Sequence, residues 1–212
     1  MKDNLMHFEI LIEDKSGKEA LNILVPKIIG NVHTFRIKAY NGIGRIPQGL
    51  SSKQDARHRA LLNQLPRLLR GYGKTYPKNS KDFSCAVFLV CDLDNKSLRT
   101  FNAELLSILY QCNPQPETRF CIAIEEGEAW LLGDIPAIKM AYPKAKSVVL
   151  KRYRNDSICG TWELLAEAIS TEIVVKSEWA LKIAPHMNVF NNLSPSFCYF
   201  RDKMLELAST EL

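Results

Sequence analysis

No stretch of the 212 residues approaches the roughly 18 consecutive apolar residues that a membrane span requires. The first residues carry Lys2 and Asp3 and lead into a short apolar run with a Glu inside it, a pattern unlike a signal peptide. There is no C-x-x-C pair among the six cysteines, and the four histidines are too scattered to complete a zinc pattern. Cys85, Cys91 and Cys121 sit in apolar runs and read as small core residues. Reduced thiols are therefore expected, with the cytoplasm as the compartment. A phosphate-cradling loop is also missing. Asn41-Gly-Ile-Gly-Arg45 is glycine-rich, but no Gly-Lys-Ser/Thr follows, and Pro47 stands where a third glycine would be needed. With no such loop the chain has no evident motor of its own. Internal repeats and low-complexity tracts are absent, and collagen-like, coiled-coil and wholly disordered chains are excluded by composition.

One segment lacks acids. Between His33 and Lys81 stand eleven Lys or Arg and a single acid, Asp55, while the remaining residues hold seventeen bases and twenty-two acids. That segment carries +10 and the rest −5. Such an uneven distribution points to a polyanionic partner. Arg45, Arg57, Arg59, Arg67, Arg70 and Lys74 are the candidate phosphate contacts, and Tyr72 and Tyr76 are candidates to stack on bases. The competing reading is a solvated basic helix face, with Arg67 and Arg70 paired to acids of the sheet.

A chain of this length buries roughly 70% of its unfolded surface, enough for a substantial core. Residues 6–12 are an apolar run of strand length. Helical spacing follows at Ala20, Leu21, Leu24, Val25, Ile28 and Ile29, and Gly30 stops it. Residues 33–40 alternate as a second strand. Ser51 or Ser52 is a candidate cap for the next helix, whose apolar face Leu61, Leu62, Leu65, Leu68 and Leu69 is interrupted at Pro66. Residues 71–82 read as a polar loop. The continuous apolar runs 84–91 and 119–124 suit strands covered on both faces, as in a parallel sheet. Helices are expected at about 100–110, from Ala129, and at roughly 160–170, 176–185 and 196–208. Strands alternating with helices predict an α/β fold, a mainly parallel, Rossmann-like sheet flanked by helices. The expected organisation is a core over 1–150, with a basic insertion at about 41–82, and a helical C-terminal extension over 151–212 packed on it.

Three strand ends carry carboxylates: Glu13 and Asp14, then Asp92 and Asp94, then Glu125, Glu126 and Glu128. In open α/β sheets the functional crevice lies beyond these ends. So many like charges need a cation or raised pKa values, and oxygen-only ligands suit Mg²⁺ or Mn²⁺. On an extended backbone Asp92 and Asp94 share one side, as do Glu126 and Glu128, with Glu125 opposite. If the helix starts early, Glu128 sits instead in its first turn, favoured by the dipole. The plainer alternative is that these acids merely cap loops and helices. Trp130 and Trp162 read as core, and His58 is a weak candidate for a base.

A Glu after the first strand and an Asp-x-Asp after a later one resemble the Toprim domain of topoisomerases, primases and overcoming-lysogenization-defect nucleases. Ile12-Glu-Asp-Lys-Ser-Gly-Lys18, Tyr40-Asn-Gly-Ile-Gly-Arg-Ile-Pro47, Leu65-Pro-Arg-Leu-Leu-Arg-Gly-Tyr-Gly73 and Ala123-Ile-Glu-Glu-Gly-Glu-Ala-Trp-Leu-Leu-Gly-Asp134 are similar to a small prokaryotic family of unknown function with a Toprim-like core. The likeness continues through Ala141-Tyr-Pro143 and Ile158-Cys-Gly-Thr-Trp-Glu163, so it covers most of the chain. It implies that Glu13 ligates metal or shuttles a proton, that Asp92 and Asp94 bind metal, and that Glu126 and Glu128 are further ligands, with Glu126 also catalytic. Asp14 departs from the pattern, standing where such proteins often have glycine.

The expected function is a metal-dependent hydrolase of nucleic-acid phosphodiesters, acting on DNA or RNA, with catalytic Glu13, Asp92, Asp94 and Glu126. The resemblance adds phage defence alongside an ATPase partner. Metal-activated water needs no side-chain nucleophile. Two rivals stand beside it: a nucleic-acid-binding or regulatory module without turnover, and a phosphotransfer enzyme using Asp92 as nucleophile.

Overall fold

The computed structural model describes residues 5–46, 60–76, 84–94, 96–157 and 160–209. In chain order the elements are β1 (Met6–Ile12), α1 (Lys15–Ile29), β2 (Thr34–Ala39), α2 (Leu61–Thr75), β3 (Ser84–Asp92), α3 (Leu98–Tyr110), β4 (Glu117–Ala123), α4 (Glu128–Leu132), α5 (Ile135–Ala141), α6 (Ser147–Leu150), α7 (Thr161–Ile169), α8 (Lys176–Ile183), a 3-10 turn (Ala184–His186) and α9 (Pro195–Ala208). The four strands form one all-parallel sheet in the order β2-β1-β3-β4. No helix among the described residues is long and apolar enough to cross a membrane.

Alternation along the strands divides the core into two layers. Phe8, Ile10 and Ile12 of β1, with Ala86, Phe88 and Val90 of β3, face α1 and the helices from α4 onward. Leu11, Val87, Leu89 and Cys91 face the other way, toward Leu61, Leu65 and Leu69 of α2 and Phe101 and Leu105 of α3. Phe197, Phe200 and Met204 of α9 lie in the first layer, completely buried. The five cysteines among the described residues carry no disulfide, and four of them are buried.

Sheet order decides where function can sit. The chain leaves β1 to one side for β2, then returns past β1 to β3 and β4. The reversal between β1 and β3 is a topological switch point, where crossovers on opposite faces leave a crevice beyond the strand ends. Register aligns those ends, since Ile12 pairs with both Ala39 and Val90, and Asp92 with Ala123.

Two local expectations give way. Residues 71–75 are not loop, because α2 runs on to Thr75. Gly73 is required there: a Cβ would lie 1.9 Å from the Pro114 carbonyl oxygen. Pro66 does not interrupt α2, and its carbonyl accepts from Arg70 Nε at 3.1 Å. β1 passes to α1 through the polar turn Glu13-Asp14. Asp14 caps that helix through Gly17 N–H at 2.8 Å, which accounts for an acid where the resembled pattern has glycine. The candidate caps Ser51 and Ser52 lie outside the described residues.

The acid inside β1 is a separate feature. Glu9 is 1% exposed. It pairs with Arg36 Nη2 at 2.6 Å and His7 Nε2 at 3.3 Å, and accepts from Tyr72 Oη at 3.1 Å. A buried carboxylate persists only with such partners. The Tyr72 hydroxyl is thereby engaged with Glu9, while its ring, partly buried, stacks on Tyr76; burial and then Glu9 raise its hydroxyl well above the usual range.

Candidate functional site

Glu13 follows the last residue of β1, and Asp92 closes β3, the neighbouring strand. The Glu13 side chain crosses the switch point, and its Oε2 accepts from the Asp92 main-chain N–H at 3.1 Å. Desolvation pushes the Glu13 carboxyl up to about 7, hydrogen bonding to Asp92 opposes this, and the charges of Asp94 and Asp14 reinforce it. Asp92 is raised well above the carboxylate range, first by burial and then by Glu13, Glu128, Asp14 and Glu126. Among the described residues no basic side chain pairs with either of the two.

These carboxylates open onto a cavity of about 60 Å³, lined in its polar part by Glu13, Asp14, Ser16, Asp92, Glu128 and Lys176. Such a space holds a few water molecules or a small ion. Gly17 closes it on the α1 side, where a Cβ would lie 2.4 Å from Ile12 Cδ1.

Asp94 parts from Asp92. The strand ends at Asp92, and Asp94 takes a left-handed backbone conformation at φ 49°. Its carboxylate is half exposed and lies 3.7 Å from Lys96 Nζ. The extended backbone that alternation needs thus ends before Asp94, and the charge of Asp94 still reaches Glu13.

The third acidic group divides in two. Glu125, at φ 66°, turns its carboxylate to the start of α7 and accepts from Gly160 N–H at 2.8 Å and Thr161 N–H at 3.0 Å. This is structural capping of a helix N-terminus. Glu126 and Glu128 take a different partner, and strand geometry does not place them. β4 already ends at Ala123, and Glu128 opens α4, in the first-turn position. Both carboxylates hold Lys176 Nζ, at 3.2 and 3.1 Å. Burial raises the Glu128 carboxyl while Lys176 opposes it. Burial alone would lower the Lys176 ammonium, and the two carboxylates outweigh it and hold it above its ordinary value. Lys176 opens α8, 48 and 50 residues beyond its partners, and nothing local in the sequence marks it for this role.

No family model, curated protein or solved structure matches the chain. The site therefore rests on its own geometry.

Of the basic candidates, Arg45 lies at the acidic end. The Gly42 N–H bonds the Glu13 carbonyl at 2.8 Å, and the Gly42 carbonyl accepts from Leu61 N–H at 3.0 Å, tying this loop and the start of α2 to the site. Arg45 is exposed and shares a larger hollow of about 440 Å³ with Lys96 and Phe101. Arg67, Arg70 and Lys74 follow along one side of α2 at i, i+3 and i+7. At 1.5 Å per residue this row leads away from Glu13, toward the opposite end of the sheet where Gly73 meets Pro114, about 20 Å from the helix start. Arg67 and Lys74 are exposed, and Arg70 is partly buried. Arg57, Arg59 and His58 lie outside the described residues. Trp130 is core, with Nε1 bonded to Ser196 Oγ at 2.9 Å, and Trp162 lies 5.9 Å beneath Lys176 Nζ.

Proposed function

We propose that this chain is a metal-dependent hydrolase of nucleic-acid phosphodiesters, a Toprim-type nuclease, centred on Glu13 and Asp92. One observation carries the reading: two half-buried carboxylates set against each other at the β1/β3 switch point, with no basic partner among the described residues. Buried charges of one sign call for a compensating cation. Among the described residues no group of three or more His, Cys, Asp or Glu is arranged to hold a metal. The donor set still fits Mg²⁺ or Mn²⁺, since Mg²⁺ is typically held by one or two carboxylates with water and substrate phosphate completing its shell. Glu13 and Asp92 would hold it. When bound, it supplies a Lewis acid for the phosphoryl oxygen and lowers the pKa of coordinated water. Hydrolysis would join a water oxygen to phosphorus, break one P–O ester bond and pass a proton of that water to the leaving oxygen.

The chain's own contribution is placement. Asp92 N–H fixes one oxygen of Glu13, the first turn of α1 walls the cavity, and Arg45 and Lys96, in the separate larger hollow, suit flanking phosphates. The row on α2 suits a longer polyanion running away from the centre.

The test incubates purified wild type and Asp92→Asn with labelled single-stranded and duplex DNA and RNA, in Mn²⁺, Mg²⁺ or EDTA. The reading expects metal-dependent cleavage that Asp92→Asn abolishes while circular dichroism stays unchanged. Equal cleavage by both proteins, or none of any substrate by wild type, sinks it. The missing third ligand favours a second reading, a binding module without turnover. That reading expects salt-sensitive binding with no cleavage.

A further inference from the structure

We infer that Lys176 serves as a built-in cation for Glu126 and Glu128, so that the cavity takes one divalent ion, at Glu13 and Asp92, and not two. The inference rests on the reading above and goes beyond it in assigning the number of metals and the residue that limits it. Glu13, Asp14, Asp92 and Glu128 line one small space, and Glu126 joins it through Lys176, so the acids around the cavity fall into two electrostatic halves. Glu126 and Glu128 share the Lys176 ammonium at 3.2 and 3.1 Å, whereas Glu13 and Asp92 have no basic partner among the described residues. A second divalent ion would have to sit some 3.5–4 Å from the first and draw on the carboxylates that the ammonium already engages. The ammonium is a compact charge with three donors. Two of them are directed at these oxygens, and the Trp162 ring lies beneath the nitrogen. Lys176 also enters the cavity as the first residue of α8, a helix packed along α1, so its position is set by a substantial packed element.

Mn²⁺ binding to the full chain at pH 7, followed by calorimetry and by the electron paramagnetic resonance of free Mn²⁺, tests this without any turnover. Wild type should bind one ion per chain. Lys176→Met, which removes the ammonium and keeps the apolar stem, should bind two, and Lys176→Arg one. A purely structural lysine would not raise the stoichiometry. A combined Glu126→Gln and Glu128→Gln variant should still bind one ion with affinity within about threefold of wild type, and this arm decides the matter should Lys176→Met fail to fold. Two ions on wild type, one on a folded Lys176→Met, or a tenfold loss of affinity in the double glutamine variant would overturn the inference while leaving metal at Glu13 and Asp92 standing. No ion on any variant would overturn both.

Discussion

Replacing Glu13 by Gln keeps the shape of the side chain and its acceptor for the Asp92 N–H, and removes a charge that the fold has to bury. The sign of the effect follows from linkage. The Glu13 carboxyl goes from 4.5 in its ordinary state to about 7 in the folded chain, chiefly through desolvation. A raised carboxyl favours the folded state fully below pH 4.5, loses that contribution as pH rises through about 7, and is a constant burden above. At about 1.4 kcal/mol per pH unit, the loss for the metal-free protein is on the order of 3 kcal/mol. For a domain of this size that is about 6–12 °C in Tm. Relief of the neighbouring Asp92 acts in the same direction. The assay is urea unfolding of wild type and Glu13→Gln at pH 4.5 and pH 8 in EDTA. The difference between the two differences cancels whatever the substitution does to packing. Glu13→Gln should gain on wild type by about 3 kcal/mol between the two pH values. Millimolar Mg²⁺ at pH 8 should restore wild type and leave the variant unchanged. An unchanged gap between the proteins across this window would show that Glu13 is not a desolvated carboxylate, and the compensating-cation reasoning would fall with it.

Other substitutions probe separate elements. Gly73→Ala should cost roughly 1–3 kcal/mol in urea unfolding, because its Cβ meets the Pro114 carbonyl, whereas Gly71→Ala, with open space around it, should gain about 0.5–1 kcal/mol from helix propensity. Glu125→Gln should cost about 1 kcal/mol and speed hydrogen exchange at Gly160 and Thr161, since their N–H groups lose a charged acceptor. Tyr72→Phe should lower stability by about 1–2 kcal/mol by taking a donor from buried Glu9, and an unchanged urea midpoint would show that this hydrogen bond adds nothing. Arg67→Ala with Lys74→Ala should reduce the log–log salt slope of duplex binding by up to about 2 if both touch phosphates, and an unchanged slope would make the row a solvated face.

The strands were legible because their apolar runs are continuous or alternate, and burial on both faces of a parallel sheet demands that pattern. The carboxylates that follow β1, β3 and β4 were legible for the same reason, as the first polar residues past each run. Helix spacing likewise marked α1, α3 and the helices from α7 onward. Strand order was not legible, because it depends on which faces α1, α2 and α3 cover, and that is decided by packing between elements far apart in the chain. Only that order makes Glu13 and Asp92 neighbours, 79 residues apart and joined at 3.1 Å. Backbone conformation past the strand ends was equally hidden. Alternation put Asp94 on the side of Asp92, but the strand ends at Asp92 and Asp94 takes a left-handed conformation, its carboxylate 3.7 Å from Lys96 Nζ. Glu126 and Glu128 did come together, yet the ion between them is a lysine from the far end of the chain. A local pattern records how each residue is spaced from its neighbours, whereas the charge that answers a buried carboxylate is chosen by whatever the completed core brings within about 3 Å.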